Sequence, residues 1–160
     1  MSDFKFKQFE VAQDKSAMKI GTDGVLLGSW SDLENSRNIL DIGCGTGLIC
    51  LMAAQRNPST LITGIELEVN AFKQATENCK NSKWSNRISI IHSSLQSFNS
   101  SSKFDLIISN PPFFSGSTES EDSERNLARN THTLPFKCLI EKLKALLDNN
   151  GKFIVIIPID

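Results

Sequence analysis

The chain has 160 residues, 39% of them hydrophobic, enough to bury the core of one ordinary domain. Seventeen basic against eighteen acidic residues leave a formal charge of −1, which excludes a protein that grips nucleic acid by bulk electrostatics, so an RNA partner has to be met by a local patch. The four cysteines lack zinc or disulfide-framework spacing, and the charged N-terminus leads into no apolar stretch long enough for a signal peptide or membrane span; a metal-free, monomeric, cytoplasmic chain with reduced thiols is expected.

Residues 1–37 precede the first strong strand signal, and within them GTDGVLLG reads as a turn followed by a short helix around Val25 to Leu27. From residue 38, apolar runs of strand length alternate with helical patterns, which predicts one α/β domain with a doubly wound, mostly parallel sheet. The first strand is Asn38 to Ile42, followed by a glycine-rich turn and a helix from Leu48 to Arg56 that stops before Pro58. Leu61 to Leu67 is the second strand. The helix after it, Asn70 to Asn81, shows Val69, Phe72, Ala75 and Cys79 on one face. Arg87 to His92 and Phe104 to Ser109 are the third and fourth strands. Ser115 to Thr133 is a polar stretch too long for an ordinary connection. Pro135 opens a helix with Gly151 as its C-cap, and Lys152 to Ile157 is the fifth strand. Trp30 and Trp84 read as packing residues, and His92 and His132 as structural.

The turn DIGCGTG places Gly43, Gly45 and Gly47 at alternate positions after Asp41. Such spacing lets the backbone turn tightly and approach a ligand, and the following helix offers it free N–H groups. The pattern acidic-x-G-x-G-x-G differs from the dinucleotide fingerprint G-x-G-x-x-G. It resembles motif I of the class I S-adenosylmethionine methyltransferases, and the resemblance implies that cofactor. Glu66, ending the second strand, is placed to accept the ribose hydroxyls, with Leu67 beside it in the cofactor set. Many members of that class carry an acidic residue after the third strand, against the adenine amine. Here Ser94 stands in its place.

The fourth strand ends in Asn110-Pro111-Pro112-Phe113, at the same edge of the sheet as the glycine turn. The prolines lock φ and remove N–H donors, which fixes the direction of the carbonyls. An exocyclic base amine is a poor nucleophile because its lone pair is delocalised. If the Asn110 side-chain oxygen and the Pro111 carbonyl each accept one amine hydrogen, the lone pair is aimed at the methyl group. Phe113 would stack on the flipped base. N-P-P-[FY] is the signature of methyltransferases of planar amino groups, and alone it does not choose among adenine N6, guanine N2 and glutamine amides.

The segment FKQFEVAQDKSAMKIGTDGVLLGSW, together with DIGCGTG, SNPPFF and RNLARNTHTLPF, resembles the bacterial tRNA(Val) adenine-N6 methyltransferases over essentially the whole chain. That resemblance implies a tRNA substrate modified next to the anticodon, and it puts Thr22 and Asp23, with Gly24, near the methionine end of S-adenosylmethionine. Arg129, Arg125 and Lys19 are the candidate RNA contacts, with Lys5, Lys7 and Lys15 behind them. Class I members close the sheet with a sixth and a seventh strand, which this chain is expected to lack. The rival readings are a guanine-N2 rRNA methyltransferase, a protein-glutamine methyltransferase, and a non-catalytic cofactor- or RNA-binding module.

Overall fold

In the computed structural model, which describes residues 3–111 and 136–157, the apolar runs form a five-stranded parallel sheet. Its strands are β3 (Asn38–Ile42), β4 (Leu61–Glu66), β5 (Ile88–His92), β6 (Phe104–Ser109) and β7 (Leu147–Val155), in the order β5-β4-β3-β6-β7. A separate hairpin pairs β1 (Phe4–Lys5) with β2 (Glu10–Val11), which the sequence pattern did not predict. The helices are α1 (Thr22–Trp30), α2 (Leu48–Arg56), α3 (Val69–Lys80) and α4 (Phe136–Leu146).

The two central strands carry apolar side chains on both faces because helices cover both. Ile39, Leu106 and Ile108 pack toward α1, α2 and α3, whereas Leu40 and Ile107 pack with Leu143 and Leu146 of α4. Alternate residues therefore serve opposite layers, and truncating one such side chain to alanine costs about 2–5 kcal/mol. The chain runs from β3 outward to β4 and β5, then returns to β6 and β7 on the other side. The reversal falls between β3 and β6, and the crevice beyond their carboxyl ends is where open α/β sheets bind ligands.

Several boundaries depart from the sequence reading. β7 starts at Leu147, opposite Phe104, and reaches its next partner pair only at Lys152 opposite Leu106, so residues 148–151 bulge. Gly151 belongs to that bulge and is not a helix cap. Its φ lies outside the left-handed region, and what it supplies is space, since a Cβ there would meet the Phe104 carbonyl at 2.9 Å. Trp30 is 80% exposed, because the buried stripe of α1 is Gly24, Leu27 and Gly28 and its period leaves residue 30 outside. Val69 is 43% exposed for the same geometric reason: the buried face of α3 is Ala71, Gln74, Ala75, Asn78 and Cys79. Trp84 does pack, edge-on against Phe9 at 5.7 Å.

Candidate active site

The glycine turn after β3 carries three left-handed residues, Gly43 at φ 70°, Gly45 at φ 56° and Gly47 at φ 81°. L side chains rarely adopt such values, so the acidic-x-G-x-G-x-G spacing is a backbone requirement. Around Gly43 and Gly45 a Cβ would meet nothing within 4 Å, whereas at Gly47 it would press on Cys79 at 3.1 Å. The first two glycines thus border open space and the third seats the turn on α3. The Gly43 and Cys44 N–H groups donate to the Ile65 carbonyl at 2.9 and 3.0 Å, and among the described residues no side chain caps the N-terminus of α2. That terminus offers unsatisfied N–H groups to a ligand.

Glu66 is oriented by three backbone donors. The Gly45 N–H donates to Oε2 at 2.8 Å, and the Leu67 and Glu68 N–H groups donate to Oε1 at 2.8 and 2.9 Å. Burial pushes its carboxyl up, and these three bonds pull the other way by favouring the ionised form. An ionised carboxylate has about four acceptor positions, so room for a hydroxyl donor remains on Oε2. Leu67 is 47% exposed beside it and offers an apolar surface to a flat ring. His92, read from sequence as structural, holds the next loop: its Nε2 lies 2.8 Å from the Leu67 carbonyl and its ring stacks on Phe72 at 5.2 Å.

Asp41 is 1% exposed on the floor of the turn. Its Oδ2 accepts from the Cys50 thiol at 3.3 Å, while Oδ1 has no partner among the described residues. Burial, with the nearby Glu66 charge, pushes its carboxyl up to about 7. The neighbouring Cys44 thiol and burial hold Cys50 well above the usual thiol range, so it stays a donor. A buried carboxylate oxygen without a donor beneath an uncapped helix start suits a ligand that brings a cationic group.

Ser94 contributes differently from a carboxylate. Its hydroxyl lies 2.7 Å from the Ser97 hydroxyl and accepts from the Ser97 N–H at 3.2 Å, which caps the turn after β5.

On the other side of the crevice, the register Ile42 opposite Ser109 sets Asn110 next to Gly43. The Ser109 hydroxyl donates to the Ile42 carbonyl at 3.0 Å and fixes that junction. Thr22, Asp23 and Gly24 open α1 here: a Cβ on Gly24 would lie 3.7 Å from the Asn110 Nδ2 and 3.4 Å from Leu48. Asp41, Gly43, Gly45, Gly47, Glu66, Gly24 and Asn110 therefore converge on one crevice. Pro111 is the last described residue of this loop; Pro112, Phe113, Arg125 and Arg129 lie outside the described residues. Lys19 is turned onto its own segment, donating to the Gln13 and Ser16 carbonyls. Among the described residues no group of three or more His, Cys, Asp or Glu could hold a metal ion. Nor is any described helix long and apolar enough to cross a membrane.

Sequence reasoning missed Gln74 and Asn78. They are buried on α3 and bind the backbone of the segment that leads into α1: the Lys15 N–H donates to Gln74 Oε1 at 2.9 Å, and the Ala12 N–H to Asn78 Oδ1 at 3.0 Å. The available signal was two amides on the inward stripe of a helix, where a buried polar group requires a partner.

A parallel sheet with this order, an acidic glycine turn and an Asn-Pro loop at the reversal point define a Rossmann-like methyltransferase. Solved structures share that fold: YjhP from E. coli aligns at TM-score 0.62 and 18% identity over 86% of this chain and 49% of its own. A SAM-dependent methyltransferase from Thiobacillus denitrificans, in complex with S-adenosyl-L-homocysteine, aligns at TM-score 0.60 and 20% identity over 83% and 46%. The chain belongs to the methyltransferase small domain family, whose model matches residues 15–158. Among curated relatives, the tRNA1(Val) (adenine(37)-N6)-methyltransferase of Glaesserella parasuis is 48% identical over 100% of this chain and 68% of its own length. Those of Pseudoalteromonas translucida and Christiangramia forsetii are 46% and 49% identical, over 99% and 97% of this chain and 68% and 67% of theirs.

Proposed function

We propose that this chain methylates the N6 amine of adenine 37 in tRNA1(Val), with S-adenosylmethionine as methyl donor, in the cytoplasm. The observation that carries the reading is the placement of Asn110 beside the glycine turn at the reversal point, in a chain nearly half identical to relatives that bear this activity in their names.

S-adenosylmethionine supplies an electrophilic methyl group on a sulfonium. Asp41 Oδ1 and the N–H groups opening α2 would hold its amino acid end, Glu66 its ribose and Leu67 its adenine, with Thr22 and Asp23 along the same edge. Asn110 Oδ1 and the Pro111 carbonyl accept the two hydrogens of the target amine, which leaves the nitrogen lone pair directed at the crevice. On transfer the methyl carbon would exchange its bond to sulfur for one to this nitrogen, and the Asn110 and Pro111 dipoles would oppose the positive charge that grows there. The extra proton leaves to water afterwards, so no general base is required. Phe113, by its place in the motif, stacks on the base.

The test is transfer of labelled methyl to unmodified tRNA, with the product nucleoside identified by mass spectrometry. N6-methyladenosine at position 37 is expected. N2-methylguanosine, or a methylated glutamine in a release factor, would replace the reading with one of its rivals.

The RNA must find local positive charge, and Lys15 and Lys5 already face Glu77 at 2.6 Å and Glu10 at 3.2 Å. Arg129, which follows the Asn-Pro-Pro-Phe motif in the chain, is therefore the leading phosphate contact. Arg129→Ala is expected to raise the dissociation constant for tRNA roughly 5- to 10-fold and to flatten its salt dependence, with the affinity for S-adenosylmethionine unchanged. Equal tRNA affinities across a salt series would remove Arg129 from the interface.

A further inference from the structure

Asn78 is 6% exposed on α3, and among the described residues its carboxamide binds backbone alone. Oδ1 accepts from the Ala12 N–H at 3.0 Å, and Nδ2 donates to the Ala12 carbonyl at 2.8 Å and to the Thr46 carbonyl at 2.9 Å. The Ala12 pair reproduces what a neighbouring strand would offer. Thr46 sits between Gly45 and Gly47. One side chain therefore ties the glycine turn to a segment remote from it in sequence. One turn earlier on α3, Gln74 holds the Lys15 N–H.

The tied segment is closed upon itself. Gln13 Oε1 accepts from the Ile20 N–H at 2.9 Å, and the Ser16 hydroxyl donates to the Met18 carbonyl at 2.9 Å. It then enters α1, whose Gly24 lies against Asn110. Residues 12–24 thus form a strap that starts at Asn78, beneath the glycine turn, and ends beside the amine acceptor.

We infer that Asn78 is a positioning residue for cofactor binding: it locks the glycine turn and the strap together in the geometry that receives S-adenosylmethionine, without touching cofactor or substrate. The inference rests on the cofactor reading above. Three left-handed glycines give the turn little preference for one shape, so its order has to come from outside contacts. Without the Asn78 amide, the Thr46 carbonyl and both Ala12 groups lose their partners, and the ordering of turn and strap is deferred to the binding step.

A merely structural amide gives a control within the same chain. Asn57 is also buried, and its Nδ2 also bridges two carbonyls, Leu33 at 2.9 Å and Ser36 at 3.0 Å, away from the crevice. Asn78→Ala and Asn57→Ala are expected to lower the melting temperature similarly. Only Asn78→Ala is expected to raise the dissociation constant of S-adenosylmethionine, measured calorimetrically, and its KM, by about 10-fold, with kcat at saturating cofactor within about 3-fold. Asn78→Ser, which keeps a hydroxyl donor for Thr46, should fall between wild type and Asn78→Ala, and it carries the test if the alanine variant does not fold. Unchanged cofactor affinity in a folded Asn78 variant would overturn the inference. Wild-type protein that binds no S-adenosylmethionine would instead overturn the cofactor reading itself.

Discussion

Replacing Asn110 with alanine is expected to lower kcat for adenine methylation by about 100- to 1,000-fold while leaving the dissociation constant of S-adenosylmethionine within about 2-fold. The magnitude follows from what the residue offers a developing charge. A preorganised hydrogen-bond partner at the reacting atom, held in a water-poor site, is worth about that factor when deleted. Asn110 qualifies as preorganised because its backbone is fixed from both sides: by the Ser109 to Ile42 bond at 3.0 Å, and by the proline that follows. Cofactor affinity is spared because Asp41, Glu66 and the glycine turn stand on other segments. Asn110→Asp keeps an acceptor oxygen and is expected to retain more activity than Asn110→Ala. Equal losses in the two variants, or a change in cofactor affinity matching the change in kcat, would show that Asn110 acts by packing against Gly24 and not by accepting the amine.

The core of the fold was legible because its strands obey simple periodicities. β3 and β6 are short, apolar and bounded by turn residues, and both appeared in the sequence with their observed limits. Asp41, Glu66 and the three glycines were legible for a different reason: their spacing is imposed by backbone geometry that few other sequences satisfy. What stayed hidden were contacts between remote segments. Nothing local announces that Asn78 binds Ala12 and Thr46, and the apolar residues of α3 taken alone pointed to Val69 in place of Gln74. The β1–β2 hairpin has strands of two residues each, below the length at which alternation becomes readable. Ser94 stands where a carboxylate is expected in the class, and its hydroxyl caps the turn after β5, a role that its position in the sequence does not announce.

Asp41→Asn is expected to stabilise the cofactor-free protein at pH 8, to stabilise it less at pH 5, and to weaken S-adenosylmethionine binding by about 10- to 100-fold. Burial raises the Asp41 carboxyl from 3.8 in the unfolded chain to about 7 in the folded one. Between those values the folded chain holds the extra proton, so stability declines as pH rises through this window and levels off above about 7. Ionising the buried group without a partner for Oδ1 costs a few kcal/mol, which the neutral amide avoids in part, since it leaves its own Nδ2 without an acceptor. A gain of roughly 3–8 °C in melting temperature at pH 8, smaller at pH 5 and vanishing as pH falls toward 3.8, is the expected signature. The same carboxylate is what a cationic ligand group would neutralise, and a charge-assisted bond of this kind contributes about 1.5–3 kcal/mol. Wild-type affinity should therefore fall as pH drops below about 7, and the variant's should not. A variant that binds S-adenosylmethionine as tightly as wild type at pH 8 would mean that Asp41 serves the turn alone, and that its unpartnered oxygen has no role in cofactor capture.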